Sequence, residues 1–369
     1  MRLFPGCGSK TALGEISLVF QRKTSLFSKE TKKQPIPEAK GIGCITMAKS
    51  VFRVFSTTAV IVGSFVGAGF ASGRETLLFF RGCGAAWASV IFSILLFGVL
   101  SLLLHLCRET NARDVADYTE RIAGRRIGKV YAVIFCINYF CTVTAMLAGA
   151  QSVLSAMFRV RAGFPWLALL TACVTYAIVI GGMKGLKGVN LLAVPLIIAF
   201  LVSLAVLPPA GDGNHGIAAT SAQSFWYISM NCMILCGVLI GPAKTLSFAE
   251  GEAVAALSSG VLGVLIYFVL RVAGQVDLSV AEMPLLWLAE QTGVSDVRFG
   301  QVAVFLAIFT TLLSGAYPLQ KACVRISADS RFRLAVILLA ALIFSTLGFG
   351  RIIDVAYPLA GVVGGIFLL

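Results

Sequence analysis

Apolar runs of helix length follow one another along most of the chain, parted by short polar or glycine-rich stretches. Ten can be marked, at 54–80, 85–107, 129–158, 163–183, 188–207, 222–247, 253–272, 297–320, 333–350 and 352–369. A helix crossing the hydrocarbon core needs roughly 20 mostly apolar residues, since each adds about 1.5 Å of rise. The pattern therefore predicts ten membrane spans. The ninth and tenth are separated only by Arg351 and its neighbours. The segment from Glu282 to Gly293 is apolar but too short to cross, and is expected to lie at the interface with Trp287 at headgroup depth.

Residues 1–47 break this pattern. They carry eight Lys/Arg, scattered Gly and Pro, and no apolar stretch of the kind a signal peptide needs. Two readings stay open, a disordered basic tail or a start assigned upstream of Met47. Either way the membrane domain is taken as 48–369.

Composition sharpens the class. Of 369 residues, 58% are hydrophobic and 13% charged, whereas a soluble domain carries about 25% charged residues. The excess apolar surface needs lipid as its solvent, so the lipid bilayer is the first partner. The formal net charge of +13 would suit nucleic acid if it were gathered on one soluble face. It is spread through the loops instead, and nucleic acid is not an expected partner. With the N-terminus in the cytoplasm and the tail left out, inner segments hold fifteen Lys/Arg against seven outside. That is the positive-inside bias. Adding or removing one span would exchange the sides of every later loop, so the charges agree with ten.

Sites of covalent chemistry are missing from the pattern. No CxxC pair stands beside a His among the ten cysteines, and no HExxH, GxSxG or Walker A string occurs. An enzyme and an ATP-driven pump are both disfavoured.

The anomaly is glycine. The first span reads I-V-G-S-F-V-G-A-G-F-A-S-G-R-E, with Gly63, Gly67, Gly69 and Gly73 close together. Each costs about 1 kcal/mol relative to Ala in a helix interior. They form either a small-residue packing face or a broken helix whose bare backbone meets a solute and an ion. The sixth span has Gly237 near its centre and Gly241–Pro242 after it. Interruptions in the first and sixth of ten spans fall at matching places in two halves, 54–207 and 222–369. An odd number of helices separates those places, so the halves must be inverted. Paired interruptions of this kind point to a transporter site.

The run Val66–Gly69, V-G-A-G, resembles the unwound first helix of the amino acid–polyamine–organocation superfamily and of sodium symporters with the LeuT fold. The fuller string G-A-G-F-A-S-G-R-E, followed by F-F, is similar to the small YkvI-type amino acid permeases of bacteria. The resemblance implies an all-α membrane protein of ten spans in two inverted five-helix repeats, with the first and sixth spans broken. It implies an ion held by carbonyls of Gly63 and Val66 and by Ala307, Thr310 and Thr311 of the eighth span. Those three lie at i, i+3, i+4, on one helix face. Five neutral oxygens suit sodium, with a proton as the alternative coupling ion. The position after V-G-x-G is often a polar ion ligand in sodium symporters but is Phe70 here, which puts a second sodium site in doubt.

Substrate groups are expected at Gly67, Ala68 and Gly69, where a half-helix N-terminus would attract a carboxylate. Asn138 opens a small, polar stripe on the third span with Thr142, Ala145 and Gly149, flanked by Tyr139. That tyrosine resembles a residue that helps hold carboxylate in relatives. The sixth span offers Tyr227, Asn231 and Gly237. Arg74 and Glu75 are placed at the outer end of the first span, facing water or forming a gate. The implied function is ion-coupled transport of a small solute, an amino acid, across a bacterial cell membrane. A membrane-embedded ligand sensor, like the permease-related germinant receptors, is the alternative.

Overall fold

A computed structural model describes residues 40–160, 164–209, 215–274, 276, 283–293, 295–323 and 329–368. The tail up to residue 39 lies outside the described residues. The last residues assigned to it, from Lys40, belong to a helix.

The first predicted span is three pieces: α1 (Lys40–Phe65), α2 (Ala68–Ala71) and α3 (Arg74–Phe80). It is followed by α4 (Ala85–Thr110), α5 (Val115–Phe158), α6 (Trp166–Ile180) and α7 (Met183–Ser203). The second half comprises α8 (Ile217–Ala243), α9 (Phe248–Ala273), a short α10 (Pro284–Thr292), α11 (Val297–Ala322), α12 (Ser330–Ser345) and α13 (Phe349–Leu368). Each of the ten predicted segments thus meets helical structure. Among the described residues, six helices are long and apolar enough to cross a membrane: α4, α5, α7 with its extension to Val206, α8, α9 and α11.

Helices five spans apart pack on each other. α5 lies on α11, α4 on α9, and α6 on α12. Small residues allow the approach, as expected where lipid leaves dispersion and hydrogen bonds to hold helices together. Ser89 Oγ of α4 donates to the Gly263 carbonyl of α9 at 2.8 Å, and Ser93 Oγ to that of Ser259 at 3.3 Å. Gly315 of α11 faces Thr142 and Val143 of α5. The apolar windows of α8 and α11 are each 83% buried, against 33% for α4. So α8 and α11 stand at the centre and α4 toward lipid.

Two expectations change. The third span extends back to Val115 through a bend at Gly124 (φ 78°), and Asp114 caps its start by accepting from the Asp117 N–H. The short α10 does not simply rest at an interface. Its Leu285 N–H donates to the Ser72 carbonyl at 2.8 Å, and the buried Leu285 side chain lies against Gly73. Glu282 itself lies outside the described residues.

Candidate functional site

The break in the first span follows from its backbone hydrogen bonds. Gly67 N–H turns to the Phe65 carbonyl at 3.0 Å, not to Gly63 four residues back. The Gly63 carbonyl is thereby released from the helix ladder, and Thr311 Oγ1 of α11 donates to it at 3.4 Å. Such irregular backbone survives at membrane depth only where protein or a cavity satisfies it. After one turn, α2 stops again at Ser72–Gly73, where Gly73 is left-handed (φ 83°).

Each glycine of the string makes room for something specific. A methyl on Gly63 would collide with the Asn190 amide oxygen of α7, and one on Gly69 with the Glu75 side chain. At Gly67 it would lie 3.0 Å from Thr311 Oγ1, and at Gly73 2.9 Å from Leu285. The packing reading and the broken-helix reading both hold in part. These glycines pack, but three of the four admit polar side chains.

A small cavity of about 10 Å³ opens at the break. Ser64, Phe65, Gly67, Glu75, Asn138, Thr142, Met230, Asn231, Ile234, Thr311 and Ala360 line it. Of the substrate positions read from sequence, Gly67, Asn138 and Asn231 are on its wall. Gly69 sits behind Glu75. The side chain of Ala68 lies outside the description. The half-helix that was to begin at Ala68 is only four residues long. It is too short to build the macrodipole expected there.

Tyr139 and Gly237 are elsewhere. The Tyr139 hydroxyl is fully buried and donates to the Met233 carbonyl of α8 at 2.8 Å. The break expected in the sixth span does not form, and α8 is one continuous helix from Ile217 to Ala243. Gly237 is a close-approach residue instead. An added methyl would strike the Tyr139 hydroxyl and stand 2.6 Å from Pro318.

The ion positions lie in the interior. Val66, Ala307, Thr310 and Thr311 are all buried. Thr310 Oγ1 bonds back to the Ala307 carbonyl at 3.0 Å, whereas Thr311 reaches across to Gly63. Two nearby groups escaped the sequence reading. Ser64 Oγ meets Ser314 Oγ at 2.7 Å. Asn190, fully buried, donates from Nδ2 to Leu186 but leaves Oδ1 without a hydrogen-bond partner, against Gly63. Ser64 lies inside the quoted glycine string and Ser314 four residues after Thr310, so both were within reach of the spacing argument.

Glu75 is the larger surprise. It is 3% exposed and lines the cavity, with the Tyr227 hydroxyl 3.5 Å from its Oε2. The second turn, at Ser72–Gly73, redirects the chain and carries the carboxylate inward. Of the two readings made from sequence, facing water or forming a gate, burial overturns the first.

Comparison with known proteins fits this architecture. The spore permease family, described as spore germination protein, matches residues 52–212. The uncharacterized membrane protein YkvI of Bacillus subtilis (strain 168) is 26% identical over 329 residues, covering 84% of this chain and 92% of the relative. The uncharacterized protein YyaD of the same organism is 25% identical over 313 residues, covering 82% and 91%. The chain is a homologue of YkvI and YyaD. Among solved structures it resembles MhsT in complex with L-phenylalanine, with a TM-score of 0.60, 17% identity, and 85% and 86% of the two chains covered. A mutant manganese transporter of Eremococcus coleocola follows at 0.58, 15% identity, with 92% and 80% covered. A Na⁺-coupled sialic acid symporter matches at 0.56, 15% identity, with 84% and 76% covered. The fold of this YkvI homologue is the LeuT fold, and two of these solved neighbours are described as a transporter and a symporter.

Proposed function

We propose that this protein is a secondary transporter that moves a small solute, an amino acid, across a bacterial cell membrane, coupled to sodium, by alternating access between two inverted five-helix repeats. The observation that carries the proposal is the released Gly63 carbonyl, met by the Thr311 hydroxyl beside a cavity at the break in the first span. Breaks of this kind, at membrane depth, are where transporters of this type bind solute and ion.

Sodium is supported by the oxygen set. Gly63, Val66, Ala307, Thr310 and Thr311 supply neutral oxygens, and a cation would take the place of the hydroxyl hydrogens that now point at the Gly63 and Ala307 carbonyls. The unpartnered Asn190 Oδ1 adds an acceptor on the same side. No Lys of α7 lies along its apolar stretch after Asn190 to replace an ion.

The test is uptake into proteoliposomes with sodium or potassium outside, at fixed pH, for wild type and the double variant Thr310→Ala, Thr311→Ala. The double variant is expected to lose sodium stimulation and, through linkage, solute affinity with it. Sodium-independent uptake by the wild type would move the coupling to protons. A second reading, a ligand sensor in the membrane, is favoured by the match to the spore germination family over residues 52–212. Counterflow of labelled solute separates the two, since a sensor binds without exchange.

A further inference from the structure

We propose that the lipid-facing side of the helix bundle holds an anionic phospholipid, with an acyl chain in a groove between α5, α11 and α12 and its phosphate on Arg125, Arg126 and Lys129. The site is separate from the cavity at the first-span break, and it would serve a carrier or a sensor alike.

The groove has a volume of about 550 Å³. α5 contributes Val133, Ile137 and Phe140 to its wall, α11 contributes Ala322, and α12 contributes Val336 and Ala340. Val133 and Ile137 are each 58% exposed, so the groove opens outward, where lipid lies. Along α5 the wall runs from Lys129 to Phe140, roughly 16 Å of helix rise. That is close to half of the roughly 30 Å hydrocarbon core, the depth of one leaflet.

The charged end of the groove lies where the third span begins. Lys129, Ala132, Val133, Cys136, Ile137 and Phe140 line it at helical spacing and share one face of α5. Arg126 and Arg125 continue that face one turn back, at i−3 and i−4 from Lys129. All three cations are exposed, and among the described residues none has a hydrogen-bond or ion-pair partner. Arg121, a turn earlier, is already engaged: its Nε bonds Asp117 at 2.7 Å and its guanidinium donates to the Thr110 carbonyl at 2.9 Å. Glu120, on the groove wall, offsets one of the three charges.

Like charges three or four residues apart on a helix repel one another. A phosphate diester placed on them relieves that repulsion, and guanidinium groups suit its paired oxygens. Clusters of Lys and Arg beside a membrane span attract anionic lipid. A zwitterionic lipid would fill the groove equally well but would bring an ammonium group to the same cations. A soluble anion would meet the cations and leave the groove unfilled.

The test uses purified full-length protein in neutral detergent, heated with phosphatidylglycerol, with phosphatidylcholine of the same acyl chains, or with inorganic phosphate. Ligand binding to the folded state raises the melting temperature. Phosphatidylglycerol should stabilise at concentrations where the other two do not, and added salt should weaken its effect. In the triple variant Arg125→Gln, Arg126→Gln, Lys129→Gln, the concentration needed should rise roughly tenfold to a hundredfold, as loss of three surface cations implies. Ala340→Phe, which fills the groove and leaves the charges, should weaken the response too, and it decides the matter if the triple variant does not fold. A control triple, Lys49→Gln, Lys184→Gln, Lys244→Gln, removes three exposed cations elsewhere and should change little. Equal stabilisation by the two lipids, or by phosphate alone, overturns the site. So does an unchanged response in the first triple variant or in Ala340→Phe, or an equal loss in the control, which would reduce the effect to general surface charge. A dimer in detergent that Ala340→Phe breaks would give the groove to a second copy of this chain, and that overturns the lipid as well.

Discussion

The first span and α8 carry similar glycine signals, and they fold differently. One is interrupted twice within a few residues, and the other runs 27 residues without interruption. Glycine content does not separate them. What differs is which atoms occupy the space that each missing side chain leaves. Around Gly63 and Gly69 that space is taken by the ends of flexible polar side chains, Asn190 and Glu75. Around Gly237 it is taken by the buried Tyr139 ring and by Pro318. At the break it is the Thr311 hydroxyl that meets the Gly63 carbonyl and so replaces a lost helix hydrogen bond. At α8 the Tyr139 hydroxyl binds the Met233 carbonyl, and the helix stays whole around it.

The largest test of this contrast is Gly69→Ala. Its methyl collides with Glu75, a side chain that can swing aside. The chain should therefore still fold and reach the membrane, but uptake should be lost. Retained uptake at wild-type affinity would show that the carboxylate's position does not matter.

Gly237→Ala should do the reverse. The Tyr139 ring and Pro318 have nowhere to go in a packed interior, and overpacking of this kind costs about 1–3 kcal/mol. Thermal unfolding in detergent would read it. Gly241→Ala is the control, because its methyl would meet Met183 at 3.8 Å, an ordinary van der Waals contact. It should be neutral, or stabilising by up to ~1 kcal/mol from helix propensity. Equal losses at both positions would erase the distinction drawn for α8.

A smaller effect belongs to Tyr139→Phe. It removes one buried hydrogen bond to the Met233 carbonyl, worth about 0.5–1.5 kcal/mol. Amide exchange around residues 233–241 should quicken while solute affinity holds, since Tyr139 is off the cavity wall. A loss of solute affinity larger than the loss of stability would return Tyr139 to the binding site.

The spans were legible from the sequence because lipid imposes a length and an apolarity that few other environments demand. The break at Val66–Gly67 was legible too, since four close glycines are too costly for an ordinary helix. The Thr310–Thr311 pair was legible as a face, and burial places that face inward. Glu75 was not. Along the chain it follows Arg74 at the end of an apolar run, where charges normally meet water. Only the turn at Ser72–Gly73, held by Leu285 from a segment more than two hundred residues away, directs it inward.

By itself the sequence determined the membrane class, the run of apolar segments and the fragility of the first one, because these depend on local length, apolarity and backbone freedom. Tertiary structure alone decided that α8 stays whole, that Tyr139 is spent on its backbone, and that Glu75 enters the cavity. Each of those outcomes is set by a side chain arriving from another helix. No periodicity along one segment records which atoms will fill the space beside a glycine.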